Sequence, residues 1–159
     1  MSEEAVTTVT AAKPDDSIRT RMLKIAGYVT KLPRGDRAEL KRLRIGAHQV
    51  PPDVFWRIVH RYGIRPDEEL FWLQVIPLMV EHEHRNGVRA GTALSRADVS
   101  AARIERWLRR DRSSALEEAQ RLLTKVDSGF DWTGFGTLLF FWNDRARMAF
   151  ARDFFLTPK

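Results

Sequence analysis

The sequence predicts an all-α fold of six to eight short helices in two small helical lobes. Three observations lead there. Apolar residues recur at spacings of three and four, strand-like alternation is scarce, and Pro, Gly and Asn-Gly interrupt the periodic stretches at short intervals.

Ser17 is the expected N-cap of a first helix that runs to about Leu32 and stops before Pro33. Its apolar face carries Ile18, Met22, Ile25, Ala26 and Val29. A second helix, roughly Asp36 to Arg44, turns Leu40 and Leu43 inward and Arg37, Lys41 and Arg44 outward. Pro51-Pro52 breaks the chain, and Asp53 caps a segment through Phe55, Ile58 and Val59 to Tyr62, closed by Gly63 and Pro66. Asp67 opens a longer apolar helix containing Pro77, whose ring and missing N–H should kink or split it.

Asn86 to Gly91 is the expected boundary between lobes over residues 17–90 and 91–159, with a flexible tail over 1–16. In the second lobe Ser100 to Arg110 places Ile104, Trp107 and Leu108 on one face. A helix from about Ser114 to Lys125 follows, with Leu116, Leu122 and Leu123 inward. Asp131 caps Trp132 to Trp142, apolar almost all round and therefore deeply buried. A last helix from about Asp144 turns Ala146, Phe150 and Phe154 inward.

Composition bounds the function. The 159 residues are 43% hydrophobic, with nine Phe and five Trp, which suits a real core rather than disorder. No cysteine is present, so disulfides, thiolate metal sites and cysteine nucleophiles are excluded. No run of 18 apolar residues occurs, and the N-terminus opens with acids and lacks a secretory core; a cytoplasmic protein is expected.

The net charge is +6, and its placement matters more than its size. Residues 1–84 carry +1, residues 85–125 carry +5 and residues 126–159 are neutral. Nine of the ten basic residues in the middle block are Arg, the side chain whose planar fork suits phosphate. At 100° per residue Arg103, Arg106 and Arg110 share a face away from Ile104 and Trp107, with Arg109 beside them. Polyanion binding is the reading this supports; a merely solvated basic surface is the alternative on charge alone.

Other candidate chemistry is weaker. His82 and His84 bracket Glu83, but on a helix they would point about 200° apart and could not share one ion, so an exposed helix end is expected. His48 and His60 have no Ser or Cys partner at a recognisable spacing, and no phosphate loop, HExxH or supported acid pair occurs. No catalytic residue, metal ligand or cofactor is assigned, and an enzyme is not expected. Phe135, Phe140, Phe141 and Trp142 could stack bases, yet helical spacing among Leu138 and Leu139 favours core packing. Trp56 and Trp72 are read as core for the same reason.

Two stretches of the second half, AGTALSRADVSAARIERWLRRDRSSALEEAQRLLTKV and FDWTGFGTLLFFWNDRARMAFARDFFL, carry an ordered set of features. They supply in order a Gly-x-Ala-Leu opening, an Arg-rich helix ending Leu-Arg-x-Asp-Arg, an Arg-Leu-Leu helix, Asp-Trp, Trp before a basic helix, and a closing Asp-Phe. In this combination the chain resembles the CasB family, the small subunits of the type I-E CRISPR surveillance complex Cascade. The resemblance covers roughly residues 90–157, and more loosely ELKRLR and FWRIVHRYG in the first half.

The resemblance implies an all-helical, non-enzymatic subunit present in two copies, whose partners are other Cascade subunits and CRISPR RNA. It also implies that basic side chains contact the displaced single-stranded DNA of the R-loop. Carried over by position, these are Lys41, Arg42, Arg103, Arg109, Arg112, Arg121 and Arg145; Asn143-Asp144 stands where the family has a more basic pair. The rival from another class is a helical protein–protein adaptor whose basic surface docks an acidic partner.

Overall fold

The structure, a computed structural model, describes residues 14–43 and 50–158. The tail expected over 1–16 falls outside them as far as residue 13, as do Arg44 and His48. Among the described residues there are nine α-helices and no strand. They are α1 (Pro14–Thr30), α2 (Arg34–Lys41), α3 (Asp53–Tyr62), α4 (Glu69–Glu81), α5 (Ala90–Arg96), α6 (Ala101–Leu108), α7 (Arg112–Leu122), α8 (Trp132–Phe141) and α9 (Asp144–Phe155). Single 3-10 turns, Pro66–Glu68 and Leu123–Lys125, precede α4 and follow α7.

Polar side chains cap the helix starts of the second half, Ser100 and Asp131 as expected and Asp111 and Asn143 in addition. Ser100 accepts from the Arg103 amide, Asp111 from Ser114, Asp131 from Thr133 and Asn143 from Ala146, at 2.8–3.2 Å. Asp111 therefore starts α7 at Arg112, two residues before the expected Ser114. In the first half α1 begins at Pro14 rather than at Ser17, and Asp53 is the first helical residue of α3 with Pro52 as its N-cap. Pro77 does not split α4, which is assigned as one helix through it.

One hydrophobic core collects residues from every α-helix, with the Trp72, Trp107 and Trp132 rings fully buried. Two helix crossings are so close that only glycine fits. A Cβ on Gly136 of α8 would overlap the Met22 thioether of α1. A Cβ on Gly91 of α5 would come within 2.9 Å of the Asp153 Cβ and of the Phe150 carbonyl oxygen on α9. That second contact explains α5, a helix the periodicity did not predict. Its buried positions include Gly91 and Ser95, which carry no apolar signal, and α9 supplies the partner surface.

Two sequence expectations are corrected. Trp56 is not core: it is 39% exposed, its indole N–H donating to the Pro51 carbonyl, while Trp72 is fully buried as expected. His82 is not at an exposed helix end. It is 6% exposed and stacks on Phe130 with ring centroids 5.6 Å apart, and its carbonyl accepts from the Trp132 indole at 2.6 Å. The helix ends at Glu81, so His84 turns to accept from the Trp132 amide at Nδ1, with its Nε2 2.7 Å from Asn86 Oδ1. Both histidines fasten the end of α4 to the start of α8.

Candidate nucleic-acid interface

The burial of Ile104 and Trp107 fixes the rotation of α6, leaving Arg106 and Arg109 exposed and Arg103 half-buried at the margin. The chain then turns at Asp111, which makes Arg112 the first residue of α7. On the facing side α8 ends abruptly, because Trp142 adopts the left-handed conformation (φ 47°, ψ 41°) and its amide donates to the Leu138 carbonyl at 2.7 Å. The next carbonyls of that helix end, those of Leu139 and Phe140, accept from the Arg112 Nε at 3.2 and 2.8 Å. A guanidinium suits this place, since carbonyls at a helix C-terminus carry partial negative charge.

Two more bonds close the corner. The Trp142 indole donates to the Arg110 carbonyl at 2.8 Å, and Arg147 Nη1 donates to the Leu108 carbonyl at 3.1 Å. The ends of α6 and α8 and the starts of α7 and α9 are thereby held together. This junction carries three of the predicted residues, Arg109, Arg112 and Arg145.

The other predicted residues sit further along. Arg112 lies over the Phe71 ring near the start of α4, while Leu116, Glu117 and Gln120 share a crevice with Leu73, Gln74, Pro77 and Leu78. Helices α7 and α4 therefore run side by side in the same direction. Leu43 lines the same crevice, so the end of α7 bearing Arg121 comes beside the end of α2 bearing Lys41 and Arg42. At a 1.5 Å rise, Arg112 and Arg121 are about 13 Å apart along the α7 axis and on opposite sides of the helix. The seven residues thus form two groups joined by α7, with Arg103 next to the first.

Pairing separates the arginines into two populations. Arg21, Arg57, Arg65, Arg89, Arg110 and Arg147 each meet a carboxylate at 2.7–3.2 Å. Among the described residues, the predicted Arg42, Arg103, Arg109, Arg112, Arg121 and Arg145 have no carboxylate within salt-bridge distance, and neither do eight other arginines, Arg106 among them. The departure at Asn143-Asp144 has a benign outcome for Arg145. Asn143 is spent on capping α9, and Asp144 pairs with Arg147 at 2.7 Å rather than with its neighbour. Arg112 differs from the rest: burial lowers its pKa from the usual guanidinium value, because part of its hydration is replaced by the Phe71 and Phe140 rings.

One residue belongs with the set by geometry and was not selected from sequence. Arg106 is exposed, without a carboxylate partner among the described residues, and one turn from both Arg103 and Arg109. The helical-face count had already placed it beside them. No group of three or more His, Asp or Glu side chains suited to a metal ion occurs among the described residues, and no helix there is long and apolar enough to cross a membrane.

Residues 36–155 match the family described as CRISPR-associated protein Cse2. The chain belongs to the Cse2 family. All seven predicted basic residues lie inside the matched region. The chain is also similar to the CRISPR system Cascade subunit CasB of Escherichia coli K12, with 25% identity over 140 residues, covering 80% of this chain and 88% of that protein. Among solved structures it is similar to a chain in the crystal structure of E. coli Cascade bound to a PAM-containing double-stranded DNA target. There the TM-score is 0.67 and the identity 24%, covering 86% of this chain and 95% of that one, a likeness of fold. Helix α1 precedes the region matched to the Cse2 family, yet it lies across α8 and completes the core.

Proposed function

We propose that this Cse2 family member is a non-catalytic, cytoplasmic subunit of a Cascade-type complex. It binds nucleic acid without sequence specificity and stabilises the R-loop by holding the displaced DNA strand. Its partners are the other Cascade subunits, CRISPR RNA and a second copy of itself. The observation that carries the nucleic-acid reading is the sorting of arginines. All six arginines predicted to meet DNA are free of carboxylate partners among the described residues, as are several others such as Arg61 and Arg96, whereas six arginines elsewhere are neutralised within the chain.

The physical consequence is direct. An exposed guanidinium with no internal partner exchanges only water and counterions for a phosphate, so its contact is not offset by a broken ion pair. An R-loop is a near-balanced exchange of a DNA duplex for an RNA–DNA duplex, and a handful of backbone contacts is enough to tip it. Phosphate contacts read no bases, which suits a subunit that must accept any target.

Binding of random-sequence single-stranded DNA across a salt series tests this. Five or six phosphate contacts give a log–log slope of about −3.5 to −4. A slope near zero would favour the rival adaptor, whose basic surface meets an acidic protein.

A further inference from the structure

Between α1, the turn joining α3 to α4, and the junction of α7 with α8 lies an open cleft of about 730 Å³. Clefts that take small ligands span roughly 300–1,000 Å³. This one brings together three cations and two acids, Arg21, Arg65, Arg112, Asp67 and Glu68. Both acids are already satisfied. Glu68 receives Arg21 through both Nη atoms at 2.9 and 3.1 Å, and Asp67 lies 3.2 Å from the Arg65 Nε. The charge left over resides on Arg112.

Arg112 is held in an unusual way for a surface cation. Its Nε is consumed by the two α8 carbonyls, and its guanidinium carbon sits 5.3 Å from the Phe71 centroid and 5.7 Å from that of Phe140. The bonds and ring contacts fix the plane of the fork, while Nη1 and Nη2 have no hydrogen-bond partner among the described residues. A fixed, partly desolvated fork with two free donors is an anion receptor needing no rearrangement. Beside it, the cleft is lined by the half-buried Phe141 ring and by Tyr62 at the end of α3.

The geometry points to a pocket for a single nucleotide unit, its phosphate on the Arg112 fork and its base against Phe141 and Tyr62. The ligand class rests on the nucleic-acid function proposed above, since Arg112 belongs to both. The role is different, however. The exposed arginines grip a backbone from outside, whereas this cleft takes in one base, which aromatic faces accept irrespective of its identity. The same unit could arrive as an extruded base of a strand or as a free mononucleotide.

Titrating the isotope-labelled full-length chain with 5′-deoxyadenosine monophosphate, and separately with deoxyadenosine and with inorganic phosphate, tests the pocket by amide shifts. The nucleotide is expected to move the Gly63, Arg112 and Phe141 amides, and each fragment to bind about tenfold more weakly or less. Phe141→Ser, which leaves the Arg112 fork in place, is expected to weaken the nucleotide about tenfold. Equal binding of nucleotide and phosphate, or shifts confined to other surfaces, would overturn the pocket. A random single strand that displaces the nucleotide assigns the pocket to a strand, and one that binds without displacing it assigns the pocket to free nucleotides. Should strand binding fail while the nucleotide still enters the cleft, the strand-holding function falls and the pocket stands. Should Arg109→Glu abolish strand binding in a chain that takes no nucleotide, the reverse holds.

Discussion

The Trp142 indole and the Arg110 carbonyl meet at 2.8 Å across 32 positions of sequence, tying the turn after α6 to the residue that ends α8. Trp142 holds a positive φ of 47°, a conformation a bulky side chain avoids. Its buried ring, edge-on to Trp107 at 4.9 Å, is what compensates. The corner bearing Arg109, Arg112 and Arg145 is thus set by aromatic packing together with the bonds that Arg112 and Arg147 make to backbone carbonyls.

Trp142→Phe keeps most of the ring contact but leaves the Arg110 carbonyl without its donor. A loss of about 1–2 kcal/mol is expected. Chemical denaturation, with the slope unchanged and the midpoint lowered, checks it.

Arginine substitutions should divide by pairing. Arg103→Ala and Arg109→Ala are each expected to weaken single-stranded DNA binding and to reduce the magnitude of the salt slope by about 0.7. Arg106→Ala should behave alike. Arg57→Ala, which removes a guanidinium held by Asp36 and Asp53 at 3.0 Å, should leave the slope unchanged. Fluorescence anisotropy over a salt series distinguishes the two groups, and equal losses across both would refute the sorting.

Gly91→Ala drives a methyl group into α9 and should cost about 1–3 kcal/mol. Gly27→Ala, on α1 with nothing within 4 Å of the added carbon, should instead stabilise by about 0.5–1 kcal/mol. Opposite shifts of the thermal midpoint are the expected result.

Stability should also depend on pH near neutrality. Burial is the chief reason the His82 imidazole is held below its usual range, outweighing the Ser128 backbone bond and the charge of Glu81. The folded state therefore prefers the neutral ring. Its contribution is full above the ordinary imidazole value of about 6.5 and is lost as pH falls from there toward the lowered folded value. Carboxylates held low, such as Asp131, act only in more acidic solution; there burial is overcome by hydrogen bonds from the Thr133 hydroxyl and amide. Urea midpoints at pH 7.5 and 5.5 should differ for the native chain and converge for His82→Leu.

Much of this was legible in the sequence because the helices are amphipathic and their caps are polar. Ile104 and Trp107 set one face of α6, and Ser100 and Asp131 mark the starts of α6 and α8. What escaped depended on partners distant in sequence. Helix α5 is held by α9 through Gly91, a residue with no side chain to signal burial. His82 is interior because Phe130 and Trp132 return to cover it, and Trp56 is outward because α3 turns Val54, Phe55 and Ile58 to the core instead. The charged set was readable as a cluster. Which members were neutralised was not, since Glu118 finds Arg110 and Asp153 finds Arg89 only once the helices pack.

The Arg112 clamp makes one amino acid answerable to two demands. A substitution there would loosen a helix terminus and strip a cation from the cleft at once, so the two losses cannot be inherited separately. Lysine, which keeps the charge but lacks the Nε donor, would betray which demand weighs more. Drift at this position should be slower than at Arg121, which clamps no helix terminus among the described residues.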